Sequence, residues 1–512
     1  KARKYYAYAE RGYAYRQEAF IMQYGSFFGD KVETSNAIPK TLTKLWMSAK
    51  HGNTDAQIAM GYRHYYGKSV PKDCQAAAQH YIKAASKIVE DINENGLKFT
   101  SDFVRLSEAW KKSRDDLTRE SGIIDLYKYS ADTGDIESQV TIGLFYMHGG
   151  HGIARDYERA HKYFLMAQEQ GHNVAKSHRA HMVLNGLGIE QDNETGLAML
   201  TEVAEEGIAT GQAYLGRIYM NGGHGVEKDV KQAIVWLKKA AEKNSADALF
   251  DLGTLYFDGN DIKKDYGSAL LYFQRSATNG NVEALYRMGY MHYMGFGTIK
   301  NCENGVQVLK KVIEKGYTRH IIQKAYGYYR EGNIDKAKLY YVQAGDLGTE
   351  LALSNAAWLF EQANHGKNYE AAMYFYRNAA QLKSATAHVK MGDYHYYGHG
   401  VPHVDKERAA EYYQAASDLR SPQATFNLGF MHEYGIGLPH DFHLAKRYYD
   451  MALEISEDAY LPVSIALSAL NIHFWTNKYK NGVFGLQWDT LAIIILLVLL
   501  TLTLAIRRVV SR

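Results

Sequence analysis

Histidines occur along this chain at spacings that could bring several imidazoles together. His395, His399 and His403 stand four residues apart, and His178 and His181 stand three apart. Imidazole nitrogens are common zinc ligands, and a helix places residues three or four apart on one face. Metal binding is therefore the first chemistry that the sequence offers.

A structural pattern explains the same histidines better. Four histidines follow a glycine by three residues, at a position that tyrosine takes in other segments: His64, His292, His395 and His432, against Tyr146, Tyr219 and Tyr256. A position that accepts either ring is typical of packing rather than of metal ligation. Pro402 also places His399 and His403 in a turn, away from the helical face of His395. We expect no metal site.

Pairs of glycines form a second chemical candidate. The triplets GHG, GLG, GFG and GIG recur at 150–152, 186–188, 223–225, 295–297, 398–400 and 435–437. A dinucleotide-binding loop needs a preceding strand and a third glycine, whereas helical patterns flank these turns. The chain also lacks a Walker sequence, a nucleophile elbow and an HExxH motif. The sequence therefore predicts no catalytic residue, no cofactor and no enzyme.

The elements that carry these residues repeat with a fixed period. Gly253 follows Gly216 by 37 residues and precedes Gly289 by 36. Apolar positions at helical spacing on both sides of each Gly-containing break predict two antiparallel helices per repeat. A mid-helix glycine costs about 1 kcal/mol relative to alanine, so we predict that it permits close approach of the paired helix. The glycines assigned this role are Gly61, Gly143, Gly216, Gly253, Gly289, Gly392 and Gly429.

These repeats predict an all-α, right-handed α-solenoid related to tetratricopeptide arrays, followed by a transmembrane helix. Two stretches without the repeated phrase divide the array into blocks. The predicted divisions are N-terminal repeats at 1–90, an irregular linker at 91–136, a middle block of five repeats at 137–317, degenerate repeats at 318–384, a C-terminal pair at 385–456, a juxtamembrane or capping helix at 457–488, a membrane span at 489–507 and a cytosolic tail at 508–512.

Charge and cysteine content exclude several classes of protein. The formal net charge of +3 gives no reason to expect a nucleic-acid partner. The first residue is Lys1, which indicates a mature or truncated chain. The chain has only two cysteines, Cys74 and Cys302, at equivalent places in distant repeats. Residues so far apart in a linear array should not meet, so we expect both to be unpaired packing residues.

The C-terminal segment predicts a single membrane span. Residues 490–506 contain no charge, and at 1.5 Å per residue they extend about 26 Å, close to the ER hydrocarbon thickness of about 27 Å. Arg507 and Arg508 follow the segment, which places the C-terminus in the cytosol and the repeats on the lumenal or extracellular side. The sequon at Asn193, expected in an exposed loop between helices, predicts glycosylation on that side. Residues 461–488 are expected to lie along the membrane, to contact a partner, or to cap the last repeat.

The repeated phrase A-xxx-LG-xx-Y-xx-G-x-GV-xx-D, with its Ala-rich second helix, resembles Sel-1-like repeats. The stretches MGDYHYYGHG and FNLGFMHEYGIGLPHDFHLAKRYYDMALEISEDAYLPVSIAL are similar to the lumenal adaptor family of the HRD ubiquitin ligase. The resemblance implies a non-catalytic ER-membrane scaffold for degradation of misfolded proteins. It implies four kinds of partner: a RING-type ligase, a glycan-reading lectin, Derlin-type membrane proteins and misfolded clients. A membrane-anchored scaffold in signalling or trafficking, without a ligase, is the alternative.

The resemblance also suggests which surfaces meet partners. The inner surface of the array would face a client or lectin, and the C-terminal pair with the following helix would face the ligase and membrane. The residues assigned to that second surface are Tyr394, Tyr397, His399, Tyr434, His440, Trp475 and Trp488. Middle repeats of some relatives self-associate through a Gly-Gly hinge. The matching junction here reads Gly280–Asn281, which leaves self-association open.

Overall fold

The computed structural model describes residues 2–28, 37–95, 104–111, 124–149, 153–362, 368–478 and 493–501. These residues are almost entirely helical, and the only β-type pairing among them is an isolated bridge between Gly223 and Val226. The helices, numbered here in chain order, are α1 (Ala2–Tyr24), α2 (Ala37–Lys50), α3 (Thr54–Tyr66), α4 (Cys74–Asn95), α5 (124–132), α6 (Ile136–His148), α7 (Tyr157–Glu169), α8 (Asn173–Asn185), α9 (Asn193–Glu205), α10 (Ala209–Asn221), α11 (Val230–Glu242), α12 (Ala246–Asp258), α13 (Tyr266–Thr278), α14 (Val282–Met294), α15 (Cys302–Lys315), α16 (Tyr317–Arg330), α17 (Ile334–Asp346), α18 (Glu350–Glu361), α19 (Tyr369–Gln381), α20 (Ala385–Tyr397), α21 (Lys406–Asp418), α22 (Pro422–Tyr434), α23 (Phe442–Ile455), α24 (Tyr460–Lys478) and α25 (493–501).

Each repeat is bounded by residues that cap its helices. In α12, Gly259 ends the helix in the left-handed conformation at φ 63°, and its N–H donates to the carbonyl of Leu255. The next helix begins after Asp265, whose carboxylate accepts from the backbone N–H groups of Gly267 and Ser268. The side-chain and backbone hydrogen bonds from Ser268 lower the pKa of Asp265. The same two caps, glycine in the left-handed conformation and aspartate at the next N-terminus, delimit α20 and α21 and then α22 and α23.

The repeated glycines lie where the paired helix leaves no room for a side chain. A Cβ added at Gly253 would lie 2.7 Å from the ring of Phe273, and one at Gly392 would lie 2.5 Å from Tyr413. At the other five positions the nearest atom would be 2.7 to 3.0 Å away, on Tyr81, Phe164, Leu237, Leu309 and Tyr449 respectively for Gly61, Gly143, Gly216, Gly289 and Gly429. Real Cβ atoms essentially never approach closer than 3.0 Å, and a contact of 3.0 Å is itself tighter than nine in ten. A side chain at any of these glycines would therefore force a neighbouring group to shift, which is consistent with the predicted close approach of the paired helices.

The ring three residues after the glycine stacks on the second helix of the same repeat. His395 lies 5.4 Å from Tyr412 and His432 lies 5.5 Å from Tyr448, with interplanar angles of 12° and 9°. Tyr256 occupies the same position and stacks on Tyr272 at 5.6 Å. Histidine and tyrosine therefore interchange because both present a flat ring to this stacking position.

The helices form two compact units, residues 1–359 and 360–512. Within the first unit, α4 packs against α14 and α15 as well as against its own partner α3. Helix α4 therefore packs on the last two helices of the middle block. A buried carboxylate, Asp346 on α17, contributes to this arrangement, because Arg16 and Arg63 each place a guanidinium nitrogen 2.8 Å from its oxygens.

The predicted state of the two cysteines is wrong. Cys74 begins α4, Cys302 begins α15, and the two form a disulfide with their Cα atoms 6.1 Å apart. The prediction assumed that the array runs in one direction, whereas α4 returns to α15 across a sequence separation of 228 residues. The bond thus closes a large loop that contains nearly all of the middle block.

Part of the segment predicted to be an irregular linker, 91–136, packs against helix α18. Residues 104–111 include a 3₁₀ helix, Leu106–Lys111. Asn355 on α18 accepts from the N–H of Leu106 at 2.9 Å and donates to the carbonyl of Val104 at 2.9 Å. Arg105 pairs with both carboxylate oxygens of Glu350 at 3.0 and 2.9 Å. These buried and charge-assisted bonds fix the segment to the end of the first unit.

Within the part of the chain that the structure describes, no helix is both long and apolar enough to span a membrane. The segment expected to do so, 489–507, is described only at 493–501, where it is helical. Its remaining residues, Trp488 and the tail at 508–512 lie outside the described residues.

Candidate functional site

The histidines do not assemble into a metal centre in the described residues, where no three His, Cys, Asp or Glu side chains are grouped as ligands. His395 is buried against Tyr412, while His399 and His403 are exposed. His178 and His181 both contact the ring of Tyr214, at 5.9 and 4.3 Å. Burial lowers the pKa of His178 to about 3 and that of His181 to about 4, so both rings are neutral packing groups at pH 7.

The C-terminal surface predicted to meet partners divides into buried and exposed residues. Tyr394 is 1% exposed and packs edge-on against Tyr369 and Tyr376, so its assignment to a partner-facing surface is wrong. Tyr394 lies two residues after the repeat glycine Gly392, and its ring packs against helix α19. Tyr397, 63% exposed, and His399 stand outside, and His399 stacks on Tyr369 at 5.1 Å.

A second aromatic group lies between α22 and α24. The exposed ring of Tyr434 contacts Phe430 at 4.5 Å and His473 at 5.0 Å. His440, also exposed, contacts Phe442 at 4.4 Å, and Phe442 in turn contacts Phe474 on α24. Sequence reasoning named Tyr434 and His440 but missed Phe430 and Phe442. Phe430 lies one helical turn before Tyr434, and Phe442 lies two residues after His440, so their spacing could have identified them.

Helix α24 presents apolar residues on two opposite sides. Val463 and Leu470 are buried against Ala445, Tyr449 and Ala452 of α23. A second row at helical spacing is left exposed, with exposed fractions between 59% and 68%: Leu461, Ile465, Ile472 and Trp475. A helix that is apolar on both sides is built to be covered on both sides. We call these four residues the α24 stripe.

A buried carboxylate fixes α24 to the last repeat. Glu433 is only 3% exposed, and one of its oxygens accepts from Tyr449 at 2.7 Å. The other oxygen lies 2.8 Å from Nδ1 of His473 on α24. Burial, together with the hydrogen bond to Glu433, raises the pKa of Tyr449. The α24 stripe is thus held on the outside by a specific polar contact as well as by apolar packing.

In the first unit, the long helix α4 covers part of the middle block, which the sequence did not indicate. Helix α4 has 22 residues, whereas α8, α10 and α12 have 13, and its extra turns reach across the middle block. Val89, Ile92 and Asn93 border a cavity of about 360 Å³ opposite the ion pair of Arg217 and Asp251. Burial raises the pKa of Asp251 to about 6 despite that ion pair. The C-terminal end of α4 contacts both the first and the last repeat of the middle block. Arg155 of the first repeat donates to the carbonyl of Glu94 at 2.6 Å, and Asn93 donates to the carboxylate of Glu283 in the last repeat at 3.3 Å.

The sequon residue Asn193 is exposed, but it begins α9 and does not lie in a loop. The preceding Asp192 caps the helix, which places the sequon in its first turn. The Asn193 side-chain oxygen accepts from Gln191 at 3.1 Å and lies 3.0 Å from Nδ1 of His224. Glycosylation at this position stays a prediction.

Comparisons with known proteins place these features in a family. The Sel1 repeat model matches ten segments: 54–87, 136–172, 175–208, 209–245, 246–281, 282–317, 324–349, 351–384, 385–421 and 422–454. Protein sel-1 homolog 2 of Rattus norvegicus is 34% identical over 498 residues, which is 93% of this chain and 71% of the relative. The ERAD-associated E3 ubiquitin-protein ligase component HRD3B of Arabidopsis thaliana is 29% identical over 479 residues, 90% of this chain and 71% of the relative.

Among solved structures, a protective antigen of uropathogenic Escherichia coli covers 94% of this chain at 20% identity, with a TM-score of 0.26 that is too low to carry an argument. The family model, in contrast, matches more than half of the chain, and the rat relative is matched over more than two thirds of its length. Repeats of this kind are stacked scaffolds, and this protein is likewise non-catalytic. The chain therefore belongs to the Sel1 repeat family.

Proposed function

We propose that this protein is an adaptor in the endoplasmic reticulum membrane that holds a RING-type ubiquitin ligase and serves the degradation of misfolded lumenal proteins. The observation that carries the proposal is the likeness, over 90% of the chain, to a plant component of an ERAD-associated E3 ubiquitin ligase. In this role the repeats stabilise the ligase, recruit a glycan-reading lectin and Derlin-type membrane proteins, and receive misfolded clients.

The disulfide supports a lumenal position for the repeats. Disulfides persist in oxidising compartments such as the ER lumen and are rare in the cytosol. Cys74 and Cys302 are paired and are the only cysteines of the chain. The uncharged segment at 490–506 with Arg507 and Arg508 behind it supports a single span with a cytosolic C-terminus.

The α24 stripe supports a contact close to the membrane. Leu461 and Trp475 leave the helix on the side away from α23, and α24 contains no acidic residue. Only about a dozen residues separate α24 from the uncharged segment. We therefore assign the stripe, with Tyr434 and His440 beside it, to the ligase or to the lipid surface next to it.

Affinity purification of the full chain in mild detergent tests the adaptor role. We expect a RING ligase and a glycan-reading lectin to co-purify. Changing the four stripe residues together to serine should remove the ligase but leave the melting temperature unchanged, because these side chains are already exposed. The matched control changes Val235 and Leu271, which are 49% and 57% exposed on α11 and α13. Purification of the folded full chain without any ligase would contradict the proposal.

Topology has a separate test at Asn193. An endoglycosidase should shift the electrophoretic mobility of the wild-type chain and not that of an Asn193→Gln variant. A chain that lacks the glycan but is recovered with signalling or trafficking proteins would favour the alternative function, a membrane-anchored scaffold that works without a ligase.

A further inference from the structure

A cleft in the first unit lies between the N-terminal helix and the degenerate repeats, where helices α1, α16 and α17 meet. Its volume is about 490 Å³, within the range of roughly 300–1,000 Å³ typical of ligand pockets. Aromatic and aliphatic side chains form most of its walls, among them Phe20, Ile21, Ile321, Leu339 and Tyr340. Ile21 and Leu339 are 51% and 39% exposed, so the apolar wall is open to a ligand at its rim.

A buried arginine borders this cleft with an unused donor. Arg16 is 4% exposed, and its Nη2 lies 2.8 Å from Oδ2 of Asp346. The other oxygen of Asp346 already accepts from Arg63 and Tyr24, each at 2.8 Å. Across the described residues, Nε of Arg16 has no hydrogen-bond acceptor. A buried charged group with an unpaired donor is unfavourable, and an incoming acceptor would relieve it.

The charges around the cleft favour an anion. The guanidinium groups of Arg16 and Arg63 share one carboxylate, Asp346, and Lys324 adds a further cation on the wall. The second carboxylate at the cleft, Asp55, accepts from Tyr317 at 3.2 Å. Burial raises its pKa, which favours its neutral form and weakens its opposition to an anion.

We propose that this cleft binds a peptide segment that carries a carboxylate beside a bulky apolar side chain. The carboxylate accepts from Nε of Arg16 and is attracted by Lys324, while the apolar side chain lies against Ile21 and Leu339. The carboxylate has two possible sources, a peptide C-terminus or an acidic side chain. The site does not depend on a ligase partner, and it assigns a peptide-binding role to the junction between α1 and the degenerate repeats.

Fluorescence anisotropy with the full chain tests the site. Three fluorescein-labelled probes are compared: a Gly-Ser-Gly-Phe peptide with a free C-terminus, the same peptide amidated, and an amidated peptide in which Asp precedes Phe. If only the peptide with a free C-terminus binds, the site recognises the C-terminal carboxylate. If the amidated Asp-containing peptide binds as well, the site accepts a carboxylate from either source. The amidated peptide without Asp should bind roughly 10- to 100-fold more weakly than the peptide with a free C-terminus, because it loses a charge-assisted hydrogen bond. Equal binding of all three probes, or of none, overturns the proposal.

Variants locate the binding on this cleft. Arg16→Lys keeps a cation beside Asp346 but removes the Nε donor, so we expect weaker binding with little change in melting temperature. Because Arg16 is buried, a second test uses Leu339→Glu, at a position that is 39% exposed. This change should weaken binding at least about tenfold, through repulsion of the carboxylate and loss of the apolar wall. Leu271→Glu on α13, 57% exposed, is the matched control and should bind as the wild type does. Unchanged binding by Leu339→Glu would overturn the assignment.

Discussion

Replacement of Gly253 by alanine tests whether the repeated glycine sets the distance between paired helices. A Cβ at this position would lie 2.7 Å from two carbons of the Phe273 ring, against an ordinary contact of at least 3.4 Å, so the ring must retreat by 3.4 − 2.7 = 0.7 Å. Phe273 is completely buried and is packed against Phe250 and Phe257, which leaves it no space to move. Overpacking of this kind costs about 1–3 kcal/mol.

The same substitution brings a gain that has to be separated from this cost. Alanine favours a helix over glycine by about 1 kcal/mol. Gly327 in α16 provides the control, because a Cβ there would meet no atom within 4 Å. Gly327→Ala should therefore stabilise the protein by up to about 1 kcal/mol. The propensity gain cancels between the two variants, and Gly253→Ala should be less stable than Gly327→Ala by about 1–3 kcal/mol.

Urea unfolding followed by circular dichroism measures this difference as a change in midpoint at constant slope. If Gly253→Ala unfolds at the same urea concentration as Gly327→Ala, or at a higher one, the close approach of α12 and α13 does not explain the repeated glycine.

Three further predictions concern the first unit. Cys74→Ser should destabilise it by about 2–5 kcal/mol through the loss of a cross-link, and an unchanged urea midpoint would show that the bond does not constrain the unfolded chain. Burial alone would raise the pKa of Asp346, but Arg16 and Arg63 lower it. Its stabilisation is therefore present above the pKa of unfolded aspartate and is lost as the pH falls through the lower native value. Asp346→Asn should cost about 3–5 kcal/mol at pH 7 and flatten this acid limb, with Asp335→Asn on the exposed side of α17 as the control. The contribution of Asp251 has the opposite sign, since burial raises its native pKa to about 6, above the ordinary aspartate value of 3.8. Stability should fall as the pH rises from about 4 to about 6, and Asp251→Asn should remove that decline; a decline that persists in the variant would contradict the assignment.

Sequence periodicity was sufficient for the repeats but not for their arrangement. The spacing of Gly216, Gly253 and Gly289 defines helix pairs because the pairing is local and the glycine requirement recurs in each unit. The return of α4 to α15 depends on contacts between residues far apart in sequence, which a local pattern does not encode. A signal was nevertheless present, since the only two cysteines each occupy the first position of a second helix.

Surface assignments depended on the direction of each side chain within its repeat. Tyr394 and Tyr397 are three residues apart, yet one is 1% exposed and the other 63%. The tyrosine-rich phrase around them gives no alternation by which to tell the inward ring from the outward one. The cleft beside Arg16 was beyond sequence reasoning for another reason: α1 shows no repeat phrase, and its contact with α17 is created only by the fold-back.

The Cys74–Cys302 bond also imposes an order on the biosynthesis of the protein. Cys74 is made 228 residues before its partner, and at roughly 5–20 residues per second it waits about 10–45 s as a free thiol. Within this sequence there is no third cysteine with which Cys74 could form a wrong bond during that interval. The hazard is a bond to another molecule, through which a nascent chain would be captured or held by a thiol-bearing folding factor. Closure of the N-terminal helices onto the middle block is thus a late event, possible only after the intervening helices, α5 to α14 in the described part of the chain, have been synthesised.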